Sequence, residues 1–209
     1  MKKPITGVIL AGGLNSRFNG VNKALIEIDG RTIIQRQYRL LKELFSEVII
    51  VTNDPRTVIE FDCLIAVDLL SRRASLTGIH TGLFYASNDY VFICACDTPF
   101  LKRTLVEIIT DATHMPNGVT MPATSAGLEP LCAVYAKKCL PLIERSVSLN
   151  QMKIQRVFGK KRIRPISEQK LRRADPELVS FFNINRPEDL ELARQLHLGG
   201  GYLTPLKTR

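Results

Sequence analysis

Short apolar runs alternate with amphipathic stretches along this chain. Near-continuous runs of valine, isoleucine and leucine, bounded by polar residues, are typical of buried strands, and they occupy residues 6–12, 47–52, 63–67, 90–96, 118–123, 131–136 and 180–185. The amphipathic stretches, one of which repeats apolar residues at Ile34, Tyr38, Leu41 and Phe45, predict helices over residues 31–45, 78–87, 104–112 and 186–197. Such an alternation predicts a single α/β domain with a doubly wound, mostly parallel sheet.

Polar or small residues mark the ends of several predicted strands. They are Gly12, Gly13, Asn53, Asp68, Asp97, Asn183 and Asn185. In an open α/β sheet, ligands bind beyond the carboxyl ends of the strands. We therefore expect these residues to gather along one rim of the sheet and to form the ligand site.

The stretch VILAGGLNSRFNGVNKAL, residues 8–25, carries the first candidate chemistry. Gly12 and Gly13 let the backbone turn sharply and approach an anion, and Arg17 and Lys23 supply positive charge for phosphate oxygens. Neither the G-x-x-x-x-G-K-[ST] motif nor the G-x-G-x-x-G motif is present. The alternative is a tight turn with two surface cations, but the combination of residues favours nucleotide binding.

Asp97 is the candidate metal ligand. It follows an apolar strand and precedes Pro99, so its carboxylate is held at the predicted rim. Mg²⁺ is commonly bound by one or two carboxylates together with substrate phosphates, and one aspartate therefore suffices. The alternative is that Asp97 caps the helix predicted over residues 104–112.

Several motifs carry a resemblance to a known family. Residues 10–25, LAGGLNSRFNGVNKAL, resemble the L-A-G-G-x-x-x-R-M-G-x-x-K signature of nucleotidyltransferases. The segments CDTPFL (96–101), EPLCAVY (129–135) and FNINRPEDL (182–190) resemble the molybdenum cofactor guanylyltransferases of the MobA-like family. The resemblance runs from about residue 6 to residue 192. This chain departs from the family at Phe18-Asn19, where the family has Met-Gly, at Ala74-Ser75-Leu76 for Gly-Pro-Leu, and at Arg186 for threonine.

The resemblance implies a Rossmann-like nucleotidyltransferase fold and a reaction. The reaction is transfer of GMP from GTP to the terminal phosphate of molybdopterin or the molybdenum cofactor, with release of pyrophosphate and with Mg²⁺ as cofactor. The implied catalytic residues are Arg17, Lys23 and Asp97, with Asp97 binding the metal. The implied nucleotide-binding residues are Leu10, Ala11, Gly12, Gly13, Lys23, Asn53, Asp68 and Asp97. The implied pterin-side residues are Asn183 and Asn185, for which capping of the following helix is the alternative.

Two other functions remain open on the sequence alone. The first keeps the chemistry and changes the substrates, as in a cytidylyl- or uridylyltransferase that acts on another phosphorylated acceptor. The second is a non-catalytic nucleotide- or RNA-binding protein. The chain has no tryptophan, and no aromatic residues interleave with its basic residues as base stacking requires, so nucleic acid binding is disfavoured.

The net charge of +9 is concentrated in one window. Residues 153–173 contain nine basic side chains and one acid, Glu168. Such a window indicates an anionic partner. We assign it to the phosphate of the cofactor and to acidic protein partners that act transiently in cofactor synthesis and delivery.

Composition places the chain in the cytoplasm. No apolar run is long enough to span a bilayer, and the lysines at positions 2 and 3 precede a core strand rather than a signal peptide. The five cysteines have no metal-ligand spacing, and Cys94 and Cys96 are expected to be buried on one face of a strand. We expect one domain over residues 1–198 and a flexible tail over residues 199–209.

Overall fold

The computed structural model describes residues 1–12, 22–72, 74–113, 115–116 and 118–198, without the side chains of the last two. Within these residues the strands are β1 (Lys3–Leu10), β2 (Glu27–Ile28), β3 (Arg31–Thr32), β4 (Phe45–Val51), β5 (Leu64–Ala66), β6 (Tyr90–Ala95), β7 (Val119–Thr124), β8 (Gly127–Leu128), β9 (Cys132–Ala136) and β10 (Ile163–Ser167). The helices are α1 (Ile33–Leu44), α2 (Ser75–Tyr85), α3 (Arg103–Asp111), α4 (Leu140–Ser148), α5 (Ile154–Phe158), α6 (Glu168–Arg172) and α7 (Pro187–Leu198).

The central sheet has the strand order β10-β7-β9-β6-β1-β4-β5, with β8 paired to β7. Strand β1 runs parallel to both β4 and β6, β4 runs parallel to β5, and β7 runs parallel to β10. Strand β9 is antiparallel to both of its neighbours, β6 and β7, and the short β8 is antiparallel to β7. The predicted mostly parallel α/β sheet is therefore confirmed.

Helices cover both faces of the sheet, because the side chains of each strand alternate between two core clusters. Val8 of β1 belongs to one cluster with Leu83 of α2. Ile9, the next residue, belongs to the other cluster with Leu41 of α1. All four of these side chains are fully buried. The doubly wound arrangement thus follows from strands that are apolar on both faces.

The cysteines contribute to the core clusters on the two faces of the sheet. Cys94 is fully buried, as predicted, whereas Cys96 follows the strand and is only partly buried against the same cluster. Burial raises the pKa of the Cys96 thiol to about 12. All five cysteines are free. Within the described residues, no group of three or more histidine, cysteine or acidic side chains is arranged to hold a metal ion.

The strand predicted over residues 180–185 is wrong. A 3₁₀ turn, Val179–Phe181, occupies its start, and no strand follows it. The edges of β6 are already paired with β1 and β9, so no ladder position beside β6 is available. Instead, the segment crosses the end of β6, where the Ile184 backbone N–H donates to the Asp97 carbonyl at 2.9 Å.

The region between β9 and α7 contains more regular structure than the sequence pattern predicted. Helices α4, α5 and α6 and the edge strand β10 lie there. Strand β10 includes Arg164 and Pro165, which weaken its apolar pattern, and proline is tolerated at a sheet edge because one side of the strand needs no N–H donor.

The tail predicted over residues 199–209 lies outside the described residues. Among the described helices, none is both long and apolar enough to cross a membrane.

Candidate active site

The rim of the sheet is formed by four strands that end level with one another. Leu10 of β1 is paired with Val51 of β4 and with Ala95 of β6, and Val51 is paired in turn with Ala66 of β5. The residues that follow these positions therefore emerge side by side. They are Ala11 and Gly12, Thr52 and Asn53, Val67 and Asp68, and Cys96 and Asp97.

Asp97 lies in the turn that follows β6. Its Oδ1 atom is buried and has no hydrogen-bond partner among the described residues. Burial raises the pKa of the Asp97 carboxyl, and the nearby positive charge of Lys23 partly opposes that rise. Helix α3 begins at Arg103 with Lys102 as its N-cap, so Asp97 does not cap it. The helix-capping alternative is excluded, and an unpaired acceptor at the rim remains.

Lys23 and Asn185 contact each other across the rim. The Lys23 ammonium donates to Asn185 Oδ1 at 2.9 Å, although the two residues are far apart in sequence. Lys23 opens a 3₁₀ turn, Lys23–Leu25, in which Asn22 Oδ1 accepts the Ala24 N–H at 3.1 Å. The structure thus brings the predicted phosphate-side lysine together with a predicted pterin-side asparagine.

The 182–185 segment is held in place by Ile184. This side chain is fully buried in a small cluster with Ile26, Ile28, Ile33 and Ala193. Asn183 and Asn185 on either side of it are exposed. The predicted alternation of exposed asparagines about a buried isoleucine is therefore correct, although the segment is not a strand.

Helix α7 does not use Asn185 as its side-chain cap. Asp189 Oδ2 accepts the backbone N–H groups of Asn185 and Arg186, each at 2.8 Å. These bonds satisfy donors at the helix start. The side chain of Asn185 is consequently directed to Lys23 rather than to the helix.

Asn53 and Asp68 form the other end of the rim. Asn53 Nδ2 donates to Asp68 Oδ2 at 3.1 Å. The second carboxylate oxygen, Asp68 Oδ1, is buried and has no hydrogen-bond partner among the described residues. An acceptor of this kind suits the N–H groups of a purine or pyrimidine edge.

Two glycines keep this end of the rim open. A Cβ atom on Gly12 would lie 3.3 Å from Asn53 Nδ2. A Cβ atom on Gly78, in the first turn of α2, would lie 3.2 Å from Leu10 Cδ2 and 3.7 Å from Asp68 Oδ1. Gly78 was missed by the sequence analysis. Its position four residues after Ala74, inside a helical pattern, is a signal for close packing.

Leu10 and Ala11 tie the rim to the sheet. The Leu10 carbonyl accepts the Cys96 N–H at 3.1 Å, and the Ala11 N–H donates to the Val51 carbonyl at 2.8 Å. These bonds anchor the Asp97 turn to β1 and the start of the glycine loop to β4. Gly13 and Arg17, which the sequence placed in the site, lie outside the described residues.

The basic window does not lie on one side of the molecule. All nine basic side chains are exposed. Ile163 pairs with Val119 at the start of β7, which is the end of the sheet away from the rim, so Lys160, Lys161 and Arg162 lie at that distant end. Lys170, Arg172 and Arg173 follow the carboxyl end of β10. A five-residue strand, roughly 16 Å long, separates the two groups.

A cleft of about 370 Å³ opens at the distant end of the sheet. It is lined by Lys138, Cys139, Pro141, Leu142, Arg145 and Arg162. Three of these side chains are cations and none is acidic. The group around Arg162 therefore lies away from the rim, so of the two uses expected for the window, only the docking of acidic partners fits this group.

Comparison with known proteins shows the family to which the chain belongs. Residues 7–165, well over half of the chain, match the family model of the MobA-like NTP transferase domain. The chain belongs to this family. It is therefore a nucleotidyltransferase by family, and the resemblance stated from its motifs is confirmed.

The similarity extends to individual members of the family. A molybdenum cofactor guanylyltransferase of Desulfosudis oleivorans is 46% identical over 189 residues, which are 90% of this chain and 94% of the relative. The crystal structure of molybdopterin-guanine dinucleotide biosynthesis protein A from Archaeoglobus fulgidus superposes with a TM-score of 0.77 at 26% identity, covering 93% of this chain and all of that one.

A more distant solved structure shares the fold. The 2-C-methyl-D-erythritol 4-phosphate cytidylyltransferase of Thermus thermophilus has a TM-score of 0.67 at 16% identity, covering 94% of this chain and 98% of that one. The architecture of MobA-like transferases is thus also found in a transferase named for another nucleotide.

The Gly78→Ala variant tests the open end of the rim. The new methyl group would crowd Leu10 and fill the space beside Asp68 Oδ1, whereas the helix itself gains about 1 kcal/mol from replacing glycine by alanine. We expect the melting temperature to stay within a few degrees while the KM for the nucleotide rises about tenfold. Steady-state kinetics and thermal unfolding of the same preparation measure both. An unchanged KM would show that the nucleotide does not approach Gly78.

Proposed function

We propose that this chain transfers GMP from GTP to the terminal phosphate of molybdopterin or the molybdenum cofactor, releasing pyrophosphate and forming the guanine dinucleotide cofactor. The observation that carries this proposal is the position of Asn185 against Lys23, beside Asp97. A transferase must bind a nucleoside triphosphate and an acceptor next to each other. Lys23 and Asp97 belong to the segments assigned to the nucleotide, and Asn185 belongs to the segment assigned to the acceptor. The 46% identity to a guanylyltransferase supports the choice of substrates.

The reaction needs no nucleophile from the protein. An oxygen of the acceptor phosphate attacks the α-phosphorus of GTP, the bond from that phosphorus to the bridging oxygen breaks, and pyrophosphate leaves with the electron pair. Catalysis then consists of positioning and charge neutralisation. Lys23 supplies positive charge at the meeting point, and we assign Arg17 the same task on the leaving pyrophosphate.

The described residues fit a divalent cation at Asp97. The buried Oδ1 atom lacks a hydrogen-bond partner within residues 1–12 and 22–198 as far as the structure describes them, and a cation would provide that interaction. Since one carboxylate with substrate phosphates is a common Mg²⁺ environment, no larger ligand cluster is required. When bound, Mg²⁺ supplies charge neutralisation on the phosphate oxygens. The contribution of the chain is to hold the Asp97 carboxylate at the rim beside the Lys23 ammonium.

Asp68 is the residue we assign to base recognition, with Asn53, Leu10 and Ala11 around it. Guanine presents two N–H donors, at N1 and N2, on the edge where adenine presents only one acceptor and a C–H. Asp68 Oδ1, which has no hydrogen-bond partner in the described part of the chain, can accept from such donors, and Asn53 holds the other oxygen. The pairing with Asn53 also fixes the orientation of the carboxylate.

Two further proposals concern partners and location. Acidic protein partners fit the surface around the cleft at the distant end of the sheet, because Lys138, Arg145 and Arg162 line it and the other described lining residues are uncharged. Protein binding there would leave the rim accessible to substrates. The free thiols are consistent with a reducing cytoplasm.

The test of the proposed function is pyrophosphate release in the presence of Mg²⁺ and molybdopterin, with GTP compared against CTP. We expect release with GTP at least about 100-fold faster than with CTP, since a site built for hydrogen bonds rejects a base that leaves them unpaired. A preference for CTP would keep the reaction and overturn the nucleotide. Binding of GTP or RNA without any release would support the non-catalytic alternative.

A further inference from the structure

A buried glutamine side chain lies directly beneath the turn that carries Asp97. Gln37 is on α1 and is 1% exposed. The other buried residues of that helix are Ile33, Ile34, Leu41 and Leu44, all apolar. Burying an amide among them costs free energy unless its hydrogen bonds are made. The Gln37 amide makes its hydrogen bonds through the nitrogen alone, because Oε1 is buried without a partner among the described residues. The partners of that nitrogen therefore indicate why the amide is there.

The amide nitrogen of Gln37 faces three acceptors. Nε2 lies 2.7 Å from the Ala95 carbonyl, 3.0 Å from the Thr98 carbonyl and 3.0 Å from Thr98 Oγ1. The Thr98 hydroxyl itself donates to the Ala95 carbonyl at 2.9 Å. One N–H of Gln37 is thus directed to Ala95, and the second is shared between the two oxygens of Thr98.

These contacts hold both ends of a four-residue turn. Ala95 is the last residue of β6, Thr98 is three residues later, and the catalytic candidate Asp97 lies between them. The turn is also tied through the backbone, by the Cys96 N–H to Leu10 and by the Asp97 carbonyl to Ile184. Those two bonds fix its middle. The side chain of Gln37 fixes the distance between its ends.

We propose that Gln37 is a positioning residue for Asp97, which sets the direction of the carboxylate toward the metal-bound triphosphate. This inference rests on the proposed function. Without the amide, the carbonyls of Ala95 and Thr98 lose their shared donor and the turn relaxes. A displacement of the carboxylate weakens metal binding and slows transfer, because residues that orient metal ligands affect metal affinity almost as strongly as the ligands do.

The Gln37→Met variant tests the proposal, because methionine keeps the length of the side chain and removes both N–H donors. The probe is Mn²⁺ with guanosine 5′-(α,β-methylene)triphosphate, whose α–β bond does not break, and free Mn²⁺ is followed by electron paramagnetic resonance. We expect the affinity for Mn²⁺ to fall about tenfold and kcat with Mg²⁺ to fall by a similar factor. The KM for the acceptor should stay nearly unchanged.

The control is Leu41→Val, on the same helix and one turn further along. Leu41 is fully buried and lies beside Gly7, in the middle of β1, and near Phe45. It should lower the melting temperature without changing the affinity for Mn²⁺. A second variant, Thr98→Val, removes one acceptor and one donor of the network but keeps the turn carbonyls, and it should shift Mn²⁺ affinity in the same direction by less.

The outcomes are distinguishable. Unchanged Mn²⁺ affinity and kcat in folded Gln37→Met, or an equal loss in Leu41→Val, would overturn the positioning role and leave the proposed function intact. If wild-type protein bound no Mn²⁺ with the nucleotide analogue and released no pyrophosphate, the proposed function would fail, and the role of Gln37 with it.

Discussion

Asp97→Asn should lower the rate of guanylyl transfer by about 10²–10³-fold while leaving the fold at least as stable as that of the wild type. Asparagine has the shape of aspartate, but it is a poor ligand for Mg²⁺ because it carries no negative charge. The loss corresponds to about 3–4 kcal/mol of transition-state stabilisation. An effect of this size is expected only if the carboxylate acts directly on the metal and the phosphates.

The expected stability follows from the direction of the pKa shift. Burial raises the pKa of the Asp97 carboxyl above its usual range, although Lys23 partly offsets the rise. A carboxyl whose pKa is higher in the folded state binds its proton more tightly there, so the fold loses stability as pH rises through the interval between the two pKa values. Asparagine removes that loss. The melting temperature of the variant should therefore equal or exceed that of the wild type at neutral pH.

Thermal unfolding between pH 3 and pH 8, in the absence of metal, measures this effect. Above the raised pKa the variant should be the more stable protein, and near pH 3 the two should converge because both folded and unfolded states of the wild type are then protonated. Asp54→Asn is the control, since Asp54 follows the neighbouring strand β4 and is exposed. Full activity in Asp97→Asn, or a variant less stable than wild type at neutral pH, would show that Asp97 serves the fold.

Asp175→Ala is expected to cost about 2–3 kcal/mol of unfolding free energy and to weaken acceptor binding. Asp175 is completely buried. Its carboxylate lies 2.8 Å from the Lys102 ammonium and accepts the Ser180 N–H at 2.8 Å. Because the side chain of Lys102 is 42% exposed, it regains water when the carboxylate is removed. The loss of unfolding free energy is therefore smaller than for a fully buried ion pair. Most of the loss arises because the Ser180 N–H no longer has its acceptor.

The hydrogen bond between Ser180 and Asp175 is an anchor that also links the stability of the fold to the acceptor side of the proposed site. Ser180 Oγ accepts the Lys102 N–H at 3.0 Å, and the chain continues from Ser180 to the exposed asparagines of the acceptor side. Loosening this anchor should raise the KM for molybdopterin more than the KM for GTP.

Urea unfolding and steady-state kinetics of Asp175→Ala measure the two effects. Asp175→Asn is the matched control, since its amide oxygen still accepts from Ser180 and most of the stability should be retained. Equal changes in both KM values, or a loss of stability as large in Asp175→Asn, would show that the anchor does not act on the acceptor side.

The positions of the rim residues were predictable to different degrees. Asp68 and Asp97 follow runs that are apolar on both faces, and such runs are central parallel strands whose carboxyl ends must share one edge. Asn185 was predicted as a site residue on a strand that does not exist. The burial alternation about Ile184 resembled a strand, but a two-residue period also fits an extended segment that is anchored by one side chain.

Gln37 and Gly78 could not be predicted from the sequence for a different reason. A single glutamine on an otherwise apolar helical stripe is compatible with a partly exposed position, and only the packing of α1 under the β6 turn shows that it is buried. The role of a glycine in a helix, such as Gly78, likewise becomes clear only when its tertiary neighbours, Leu10 and Asp68, are known. Strand β10 was missed because Arg164 and Pro165 interrupt its apolar pattern at a solvent-facing edge.

The sequence by itself determined the α/β class, the mostly parallel sheet, the rim to which we assign the site and the family, because apolar periodicity and short motifs are local properties of the chain. Only the tertiary structure decided which residues meet. The contact of Lys23 with Asn185, the bond from Ile184 to Asp97 and the separation of Arg162 from Arg173 depend on strand order and register. Strand order and register are set by packing between segments that are distant in sequence. The buried contacts and hydrogen bonds of these segments form cooperatively.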